Sequence, residues 1–144
     1  MKYLYHGSSE KLQGDKLNPS QGEDSEERPE NRLLAVYATD RKDLAIVMGI
    51  LGCKDVFGGS IEEYSEGKLN AVIYGDFPKQ EFIYLHYLPM ETFKQTKIDI
   101  HQFVSDVAVT PIKTEKIRIK DFYNLFRVGT KKESEDWAKK YKSE

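Results

Sequence analysis

The sequence predicts an α+β fold with a mixed, mostly antiparallel sheet, one early helix and one C-terminal helix. Runs rich in aromatic and β-branched residues, which favour strands, fill most of the second half of the chain. One helical stripe follows the second strand-like run, and the regular strand–helix alternation of a parallel sheet is absent from the pattern. Together these observations give the fold class.

The composition fits a single domain over residues 1–144. A chain of 144 residues with 39% hydrophobic residues can bury a sizeable core. Its 22 Lys and Arg against 24 Asp and Glu leave a formal net charge of −2. The basic excess of a protein that tracks a nucleic-acid backbone is therefore missing, although a small RNA-end or DNA-base substrate stays open.

The cysteine count and the hydropathy pattern indicate in which cellular compartment the protein is expected. Cys53 is the one cysteine, so an internal disulfide is excluded, and no Cys/His cluster has the spacing of a zinc site. The N-terminus lacks the apolar core of a signal peptide, and no run reaches the length of a membrane span. We therefore expect a cytoplasmic protein that holds no metal and has no membrane partner.

The first half of the chain predicts two strands and a connecting loop. Residues 3–6 indicate a short strand ended by Gly7, and residues 33–38 a strand buried on both faces. Residues 18–31 between them contain no apolar side chain, two prolines and a run of acids. That composition is typical of an exposed loop, and its length also suits a lid.

A helix is predicted to follow the second strand. Asp40 is placed to cap it, with Asp43 in the first turn near the exposed amides. Apolar residues at helical spacing mark its predicted buried face. They are Leu44, Val47, Met48 and Leu51. Such a stripe is more typical of core packing than of a cofactor site.

The second half predicts strands separated by turns. The strand-like runs are residues 61–64, 69–74, 82–88, 104–109 and 116–119. Turn chemistry at Glu66-Gly67 and Gly75-Asp76 separates the earlier ones. Because both alternate faces of residues 82–88 are apolar, this run is predicted to be a central strand. Residues 121–126 predict a short helical turn.

A capping box predicts the start of the C-terminal helix. Thr130 and Glu133 have the Thr-x-x-Glu spacing in which each side chain bonds the backbone of the other residue. The helix is predicted over residues 131–142, within a C-terminal segment of 130–144. Trp137 and Tyr141 are its only large apolar residues, one turn apart, so we expect the helix to dock through them.

Common catalytic motifs are absent from the chain. It has no dinucleotide-binding glycine motif, no Walker loop, no Gly-x-Ser-x-Gly and no His-Glu-x-x-His. Cys53 stands beside Lys54 in a Gly-rich stretch, and no local base is present to activate its thiol, so we interpret it as unreactive.

Three segments on separate strand-like runs carry the functional signal. They are Tyr5-His6-Gly7-Ser8, then Val36-Tyr37-Ala38-Thr39-Asp40 with Ala45 downstream, then Gln102-Phe103-Val104-Ser105 before Val109-Thr110-Pro111. In this order they resemble the ADP-ribosyltransferase superfamily, in particular its diphtheria-toxin-like, poly(ADP-ribose) polymerase-like branch, over residues 3–121. Members carry a His, a Tyr and usually a Glu on three strands around an NAD cleft. The resemblance implies a split sheet and ADP-ribose transfer from NAD.

The resemblance also implies a role for each site residue. His6 would hydrogen-bond a ribose hydroxyl of NAD, and Ser8 would add a hydroxyl contact. The backbone of Gly7 would hold the nicotinamide carboxamide, since only glycine lets a ligand approach so closely. Tyr37 would stack on the nicotinamide ring, with Ala38 small enough to leave room.

Each of these residues also has a simpler interpretation. Taken singly, His6 is a histidine at a strand end and Tyr37 a core aromatic. The joint occurrence of Gly after the His and Ala-Thr-Asp after the Tyr favours a pocket. His86 and His101 have no partner motif and are assigned structural roles.

Gln102 departs from the family pattern. The residue before Phe103-Val104-Ser105 is usually the catalytic glutamate, which stabilises the positive charge that develops as nicotinamide leaves. A neutral amide can still hydrogen-bond the ribose hydroxyl, but it supplies no negative charge. One well-placed electrostatic group contributes about 3–4 kcal/mol, so its loss costs about two to three decades in rate.

This departure leaves several functions open. The first is a mono-ADP-ribosyltransferase whose acceptor, a protein, nucleic acid or small molecule, is unknown. Such an enzyme tolerates Gln102 or takes its acid from another residue. The candidates by type are Glu10, Glu62 and Glu63. The second is a catalytically inactive domain that binds NAD, ADP-ribose or an ADP-ribosylated partner.

Two further alternatives belong to other classes. An RNA 2′-phosphotransferase-like enzyme would need additional cleft cations, for which Arg32 or Arg41 are the nearby candidates. A structural or interaction module would use its Tyr and Phe faces as a dry core, and His6 and Tyr37 would not share a cleft. If the alignment with the family is shifted by one residue at Gln102, the residue at the position of the catalytic acid is not identified.

Overall fold

The computed structural model describes residues 2–21 and 34–142, which form an α+β fold. The described strands are β1 (Leu4–Ser8), β2 (Ser20–Gln21), β3 (Leu34–Thr39), β4 (Gly58–Ser65), β5 (Lys68–Tyr74), β6 (Phe82–Leu88), β7 (Lys94–Gln95), β8 (Gln102–Ser105), β9 (Lys113–Arg118) and β10 (Phe126–Val128). The helices are α1 (Lys42–Leu51), a 3₁₀ segment (Ile119–Leu125) and α2 (Lys131–Tyr141).

The strands form two sheets. The larger sheet has the order β7-β8-β3-β1-β6-β9, with β2 paired to β3, and the smaller sheet has the order β10-β5-β4. Strand β10 runs parallel to β5, and the other pairs among the described strands are antiparallel. The predicted mixed, mostly antiparallel and split arrangement is confirmed. Strand β6 lies between β1 and β9, so the prediction of a central strand is confirmed as well.

Helix α1 packs between the two sheets. On one side Ala45, Ile46 and Ile50 meet the face of β6 that carries Ile83 and Leu85. On its other side Val47 packs with residues of β5, Leu69 and Ala71. A separate cluster covers the opposite face of the larger sheet. It consists of Leu4, Val36, Ala38, Leu88, Phe103 and Val109.

The double contact of α1 corrects the predicted buried stripe. Sheets on two sides bury more of the helix than a single apolar stripe would cover. The buried residues of α1 are Ala45, Ile46, Val47, Gly49 and Ile50. Met48, which belongs to the predicted stripe, is 54% exposed.

The predicted cap of α1 is also wrong. The N-cap residue is Arg41, whose backbone N–H donates to the Thr39 hydroxyl at 3.1 Å. Asp40 instead bonds a histidine far along the chain. Asp43 lies in the first turn as predicted, and its carboxylate accepts the backbone N–H of Leu44 at 2.7 Å.

Several strand boundaries differ from the sequence prediction. Strand β1 runs through Gly7 to Ser8 because β6 pairs with it along its whole length. Part of the predicted loop forms β2, where Ser20 lies opposite Ala35; residues 22–31 and Leu33 lie outside the described part. Strand β8 ends at Ser105, whose hydroxyl bonds the backbone of Val107 and turns the chain.

The C-terminal helix agrees with its prediction. Thr130 and Glu133 make both bonds of the capping box. The Trp137 ring lies 5.6 Å from that of Tyr141 and 5.5 Å from that of Tyr74 on β5, measured between centroids. A Cβ atom on Gly58 would lie 2.4 Å from the Trp137 ring, so glycine allows this docking. No helix among the described residues is long and apolar enough to cross a membrane.

Candidate functional site

The larger sheet opens between β1 and β3. These strands pair at one position, Tyr5 opposite Thr39. Beyond it β1 stays with β6 through Ser8, while β3 pairs with β2 and β8. In the described part of the chain, the edge of β1 that faces β3 therefore has no strand partner after Tyr5. Backbone N–H and C=O groups along such an edge need other partners.

His6 lies at this opening. Its Nδ1 is 2.6 Å from the carbonyl oxygen of Tyr37. A carbonyl only accepts, so Nδ1 carries the hydrogen and donates it. Burial lowers the pKa of His6, and the bond to Tyr37 raises it by less. The ring is therefore neutral near pH 7, and Nε2 presents a lone pair that can accept a hydroxyl hydrogen.

An open cavity of about 430 Å³ lies beside the second half of β1 and the C-terminal half of α1. This volume falls within the usual range for small-molecule sites. We call it the β1 cavity, and its lining residues are His6, Gly7, Ser8, residues 9–13, Met48, Gly49, Gly52 and Lys54. Three of the predicted cofactor contacts, His6, Gly7 and Ser8, thus meet in one place.

Gly7 has a structural reason to be glycine. A Cβ atom built on Gly7 would lie 2.0 Å from the carbonyl oxygen of Ala45 and 3.1 Å from the backbone nitrogen of Gly49. Helix α1 therefore lies directly against the backbone of β1. The close approach that the resemblance assigns to a ligand is made here, on one side of Gly7, by the helix.

Charged side chains stand at the rim of the β1 cavity. Lys11 and Lys54 line it, and the Lys54 ammonium is 2.9 Å from the Glu10 carboxylate, with both side chains exposed. Glu10 lines the cavity too. The other two candidate acids lie in the smaller sheet, where Glu62 pairs with Arg127 and Glu63 with Lys68. Of the three, Glu10 is the one that lines the β1 cavity.

Tyr37 and Gln102 lie on the neighbouring strands β3 and β8. Tyr37 is opposite Val104 and Thr39 is opposite Gln102, so Tyr37 and Gln102 share a face of the sheet. Neither lines the β1 cavity. The Gln102 amide oxygen accepts the hydroxyl hydrogen of Thr96 at 2.8 Å. The roles of Tyr37 and Gln102 toward NAD stay predictions.

Ala38 and the His6 ring belong to the opposite face. Ala38 is buried in the cluster that contains Leu4 and Phe103, so it does not flank the Tyr37 ring. Because side chains alternate along β1, His6 projects to the same face as Leu4. The His6 ring consequently meets Tyr37 through the backbone carbonyl.

A buried histidine next to His6 was assigned only a structural role from the sequence. His86 lies opposite His6 in the β1–β6 register, and the two ring centroids are 6.1 Å apart. The His86 Nδ1 is 2.7 Å from the Thr114 hydroxyl, while Nε2 is buried without a hydrogen-bond partner among the described residues. Burial, helped by His6, lowers the pKa of His86 to about 4. Both rings are therefore neutral near pH 7.

His101 also has partners that its local sequence did not reveal. Its two ring nitrogens lie 2.6 Å from Asp40 and 2.9 Å from Glu66. Asp40 is 61 positions away in the chain, so no local motif announces the pair. Alternation and spacing show which side chains share a face of one strand, and they do not show which strands become neighbours.

Cys53 agrees with its predicted inert role. It is a buried free thiol whose Sγ lies 3.6 Å from the carbonyl oxygen of Gly49. Burial, with a smaller contribution from Asp55, raises the pKa of the thiol to about 11. It is therefore protonated at pH 7 and a poor nucleophile. No cluster of three His, Cys, Asp or Glu in residues 2–21 and 34–142 is placed to hold a metal ion.

Comparison with protein-family models, with curated proteins and with solved structures gave no match to this chain. We therefore infer the function from the geometry of the β1 cavity and from the His6-Gly7-Ser8 segment that lines it.

Proposed function

We propose that the protein binds NAD in the β1 cavity and transfers its ADP-ribose group to an acceptor, which is a protein, a nucleic acid or a small molecule. One observation carries the proposal. Strand β1 has no strand partner on its β3 side after Tyr5 among the described residues, and its Gly7–Ser8 segment lines a cavity of about 430 Å³. We include a cytoplasmic location in the proposal, because the lone Cys53 is a free thiol, as suits a reducing compartment.

The edge of β1 that has no strand partner among the described residues suits the carboxamide of nicotinamide. A primary carboxamide has N–H donors and a C=O acceptor, so it can bond a strand edge as another strand would. The contact of the His6 side chain with a ribose hydroxyl stays a prediction, because the ring projects to the face of the sheet opposite to that of Gly7 and α1. Lys11 and Lys54 at the rim supply positive charge for the diphosphate.

The chemistry needs negative charge near the nicotinamide ribose when nicotinamide leaves. Gln102 offers none, whereas the Glu10 carboxylate lines the same cavity as His6. Glu10 is held by Lys54, an exposed partner that a bound diphosphate can draw away. We therefore assign the charge-stabilising role in the wild-type protein to Glu10; Gln102 does not line the β1 cavity, and its contact with the ribose stays a prediction.

A charge restored at position 102 tests whether Gln102 faces the ribose. We expect Gln102→Glu to raise the rate of NAD hydrolysis by about two decades, since a carboxylate would oppose the developing cation. The measurement is nicotinamide release at saturating NAD. Gln95→Glu is the matched control, because it adds the same charge on the adjacent strand β7. Equal rates for wild type and both variants would remove Gln102 from the site.

The complementary variant tests Glu10. Glu10→Gln keeps the size of the side chain and removes its charge, so we expect wild-type NAD hydrolysis to fall by about two decades. NAD should still raise the melting temperature of this variant, because binding uses the β1 edge. If millimolar NAD neither raises the melting temperature nor is hydrolysed by wild type, Gln102→Glu or Glu10→Gln, the proposed function is wrong.

A binding-only protein of the same fold is the second candidate. The neutral Gln102 amide, already engaged by Thr96, favours it. In that case NAD or ADP-ribose raises the melting temperature while turnover is absent from wild type. For the RNA 2′-phosphotransferase alternative, the candidate cation Arg32 lies outside the described residues. Arg41 bonds Asp43 and the carbonyl oxygens of Ser65 and Lys68, and it does not line the β1 cavity.

A further inference from the structure

His101 joins the two sheets through carboxylates on both sides of its ring. Asp40 follows β3 in the larger sheet, and its Oδ1 lies 2.6 Å from His101 Nδ1. Glu66 lies in the turn between β4 and β5 of the smaller sheet, and its Oε1 lies 2.9 Å from His101 Nε2. His101 itself directly precedes Gln102, the first residue of β8.

This geometry requires a charged ring. Carboxylate oxygens at these distances only accept, so both His101 nitrogens must carry hydrogen, which makes the ring an imidazolium. A neutral ring would point a nitrogen lone pair at one of the carboxylates. That contact would then become repulsive and break.

The surroundings determine which contact breaks. The Asp40 side chain is 21% exposed, whereas that of Glu66 is 80% exposed. Water can solvate Glu66 when it separates, and Asp40 has less access to water, so the hydrogen should stay on Nδ1 with Asp40. Loss of the proton therefore releases Glu66 and the β4–β5 turn.

Arg41 and the charged pairs near it also hold the β4–β5 turn. Arg41 donates to the carbonyl oxygens of Ser65 and Lys68, and its guanidinium lies 4.8 Å from the Tyr64 ring centroid. Asp43 pairs with Arg41, and Lys68 pairs with Glu63. Since Arg41 stays charged throughout the accessible pH range, it is a permanent anchor for the same turn.

Tyr64 and Asp99 complete the surroundings of His101. The Tyr64 ring packs edge-on to His101 with 5.9 Å between centroids, and its hydroxyl donates to Asp99 at 3.5 Å. Burial, Asp99 and Asp40 together raise the pKa of Tyr64, so the phenol stays neutral. Burial of the His101 ring lowers its pKa, but the bonds to Asp40 and Glu66 outweigh that effect and the pKa of His101 is raised above 6.5.

We infer that His101 is a proton-operated clamp, which holds the β4–β5 turn against the start of β8 when the ring is charged and releases Glu66 when the ring is neutral. The clamp does not depend on NAD binding. It is a pH-sensitive link between the two sheets, placed directly beside Gln102.

The test is an NMR titration of the full chain from about pH 5 to about pH 9, which brackets the ordinary histidine pKa. We expect the His101 ring to titrate with a midpoint above 6.5, the ordinary value. Amide exchange at Ser65, Gly67 and Lys68, corrected for intrinsic base catalysis, should rise several-fold across the same midpoint. Amide exchange in the paired strands β1 and β6 should not change at this midpoint.

Two variants of the hairpin make the test specific. Glu66→Gln removes the released partner, so the His101 midpoint should move down and the step in amide exchange should disappear. Glu63→Gln is the matched control, since Glu63 pairs with Lys68 at 3.4 Å and does not bond His101. A wild-type midpoint at or below 6.5, or equal midpoints in Glu66→Gln and wild type, would overturn the clamp.

Discussion

Replacing Gly7 by alanine is expected to destabilise the protein by about 3 kcal/mol, near the upper end of the range for overpacked cores. The added methyl would lie 2.0 Å from the carbonyl oxygen of Ala45, a backbone atom that no side-chain rotation can move away. Relief requires α1 to shift from β1. Urea unfolding followed by circular dichroism measures the loss as a lower midpoint.

Gly49→Ala is the matched control on the facing helix. Its added methyl would lie 2.8 Å from Ile83 Cδ1, the end of a side chain that can rotate, and 3.2 Å from the backbone of Gly7. Alanine also favours the helix by up to about 1 kcal/mol over glycine, which offsets part of the strain. We expect a loss clearly smaller than that of Gly7→Ala. Equal losses, or a neutral Gly7→Ala, would mean that α1 does not press on β1 at Gly7.

The second large effect is a loss of stability in acid that originates at His86. The pKa of this ring falls from 6.5 in an unfolded chain to about 4 in the fold. Between these two values the unfolded chain binds more protons, so the free energy of unfolding decreases as the pH falls from 6.5 toward 4. A fall from 6.5 to about 4 corresponds to about 3 kcal/mol. The lowered pKa of His6 acts in the same direction.

The variant His86→Asn distinguishes the effect of His86 protonation on stability from the effect of its packing in the core. The Asn amide can replace the Nδ1 contact with Thr114, and it has no proton to gain in this pH range. The variant will be less stable at pH 7 because it leaves space in the core, but its stability should depend less on pH between about 6.5 and about 4. The measurement is the free energy of unfolding in urea at several pH values. Parallel pH profiles for variant and wild type would contradict this assignment.

His101 contributes with the opposite sign. Its raised folded pKa gives stability that is complete below the unfolded value of 6.5 and is lost as the pH rises through the folded pKa. The two histidines can therefore be told apart by the limb of the pH profile that each variant changes. His86→Asn should alter the acid limb and Glu66→Gln the neutral-to-basic limb.

Much of the fold follows from local patterns in the sequence. The run that became β6 was predicted with its observed bounds, because both of its faces are apolar and Pro89 follows it. The capping box at Thr130 and Glu133 likewise needs no distant residue. The strands that the sequence does not predict are short. Strands β2 and β7 have two residues each, and their sequences, Ser20-Gln21 and Lys94-Gln95, carry no apolar signal.

The errors in the site have a common physical cause. Asp40 has the side chain of a helix cap, but the Thr39 hydroxyl takes the backbone N–H of Arg41 and Asp40 bonds His101 instead. The choice between these partners depends on a contact across 61 positions. Gly7 shows the same limit, because the sequence indicates a close approach and leaves open whether a ligand or α1 makes it.

The proposal that the β1 cavity binds NAD is tested most directly by an NMR titration of isotope-labelled protein with NAD. We expect the amide signals of Gly7, Ser8, residues 9–13, Gly49 and Gly52 to shift in a saturable way. The signals of Glu62, Asn70 and Arg127, which line a separate cavity in the smaller sheet, should stay in place. No shift at millimolar NAD, or shifts confined to the smaller sheet, would contradict the account.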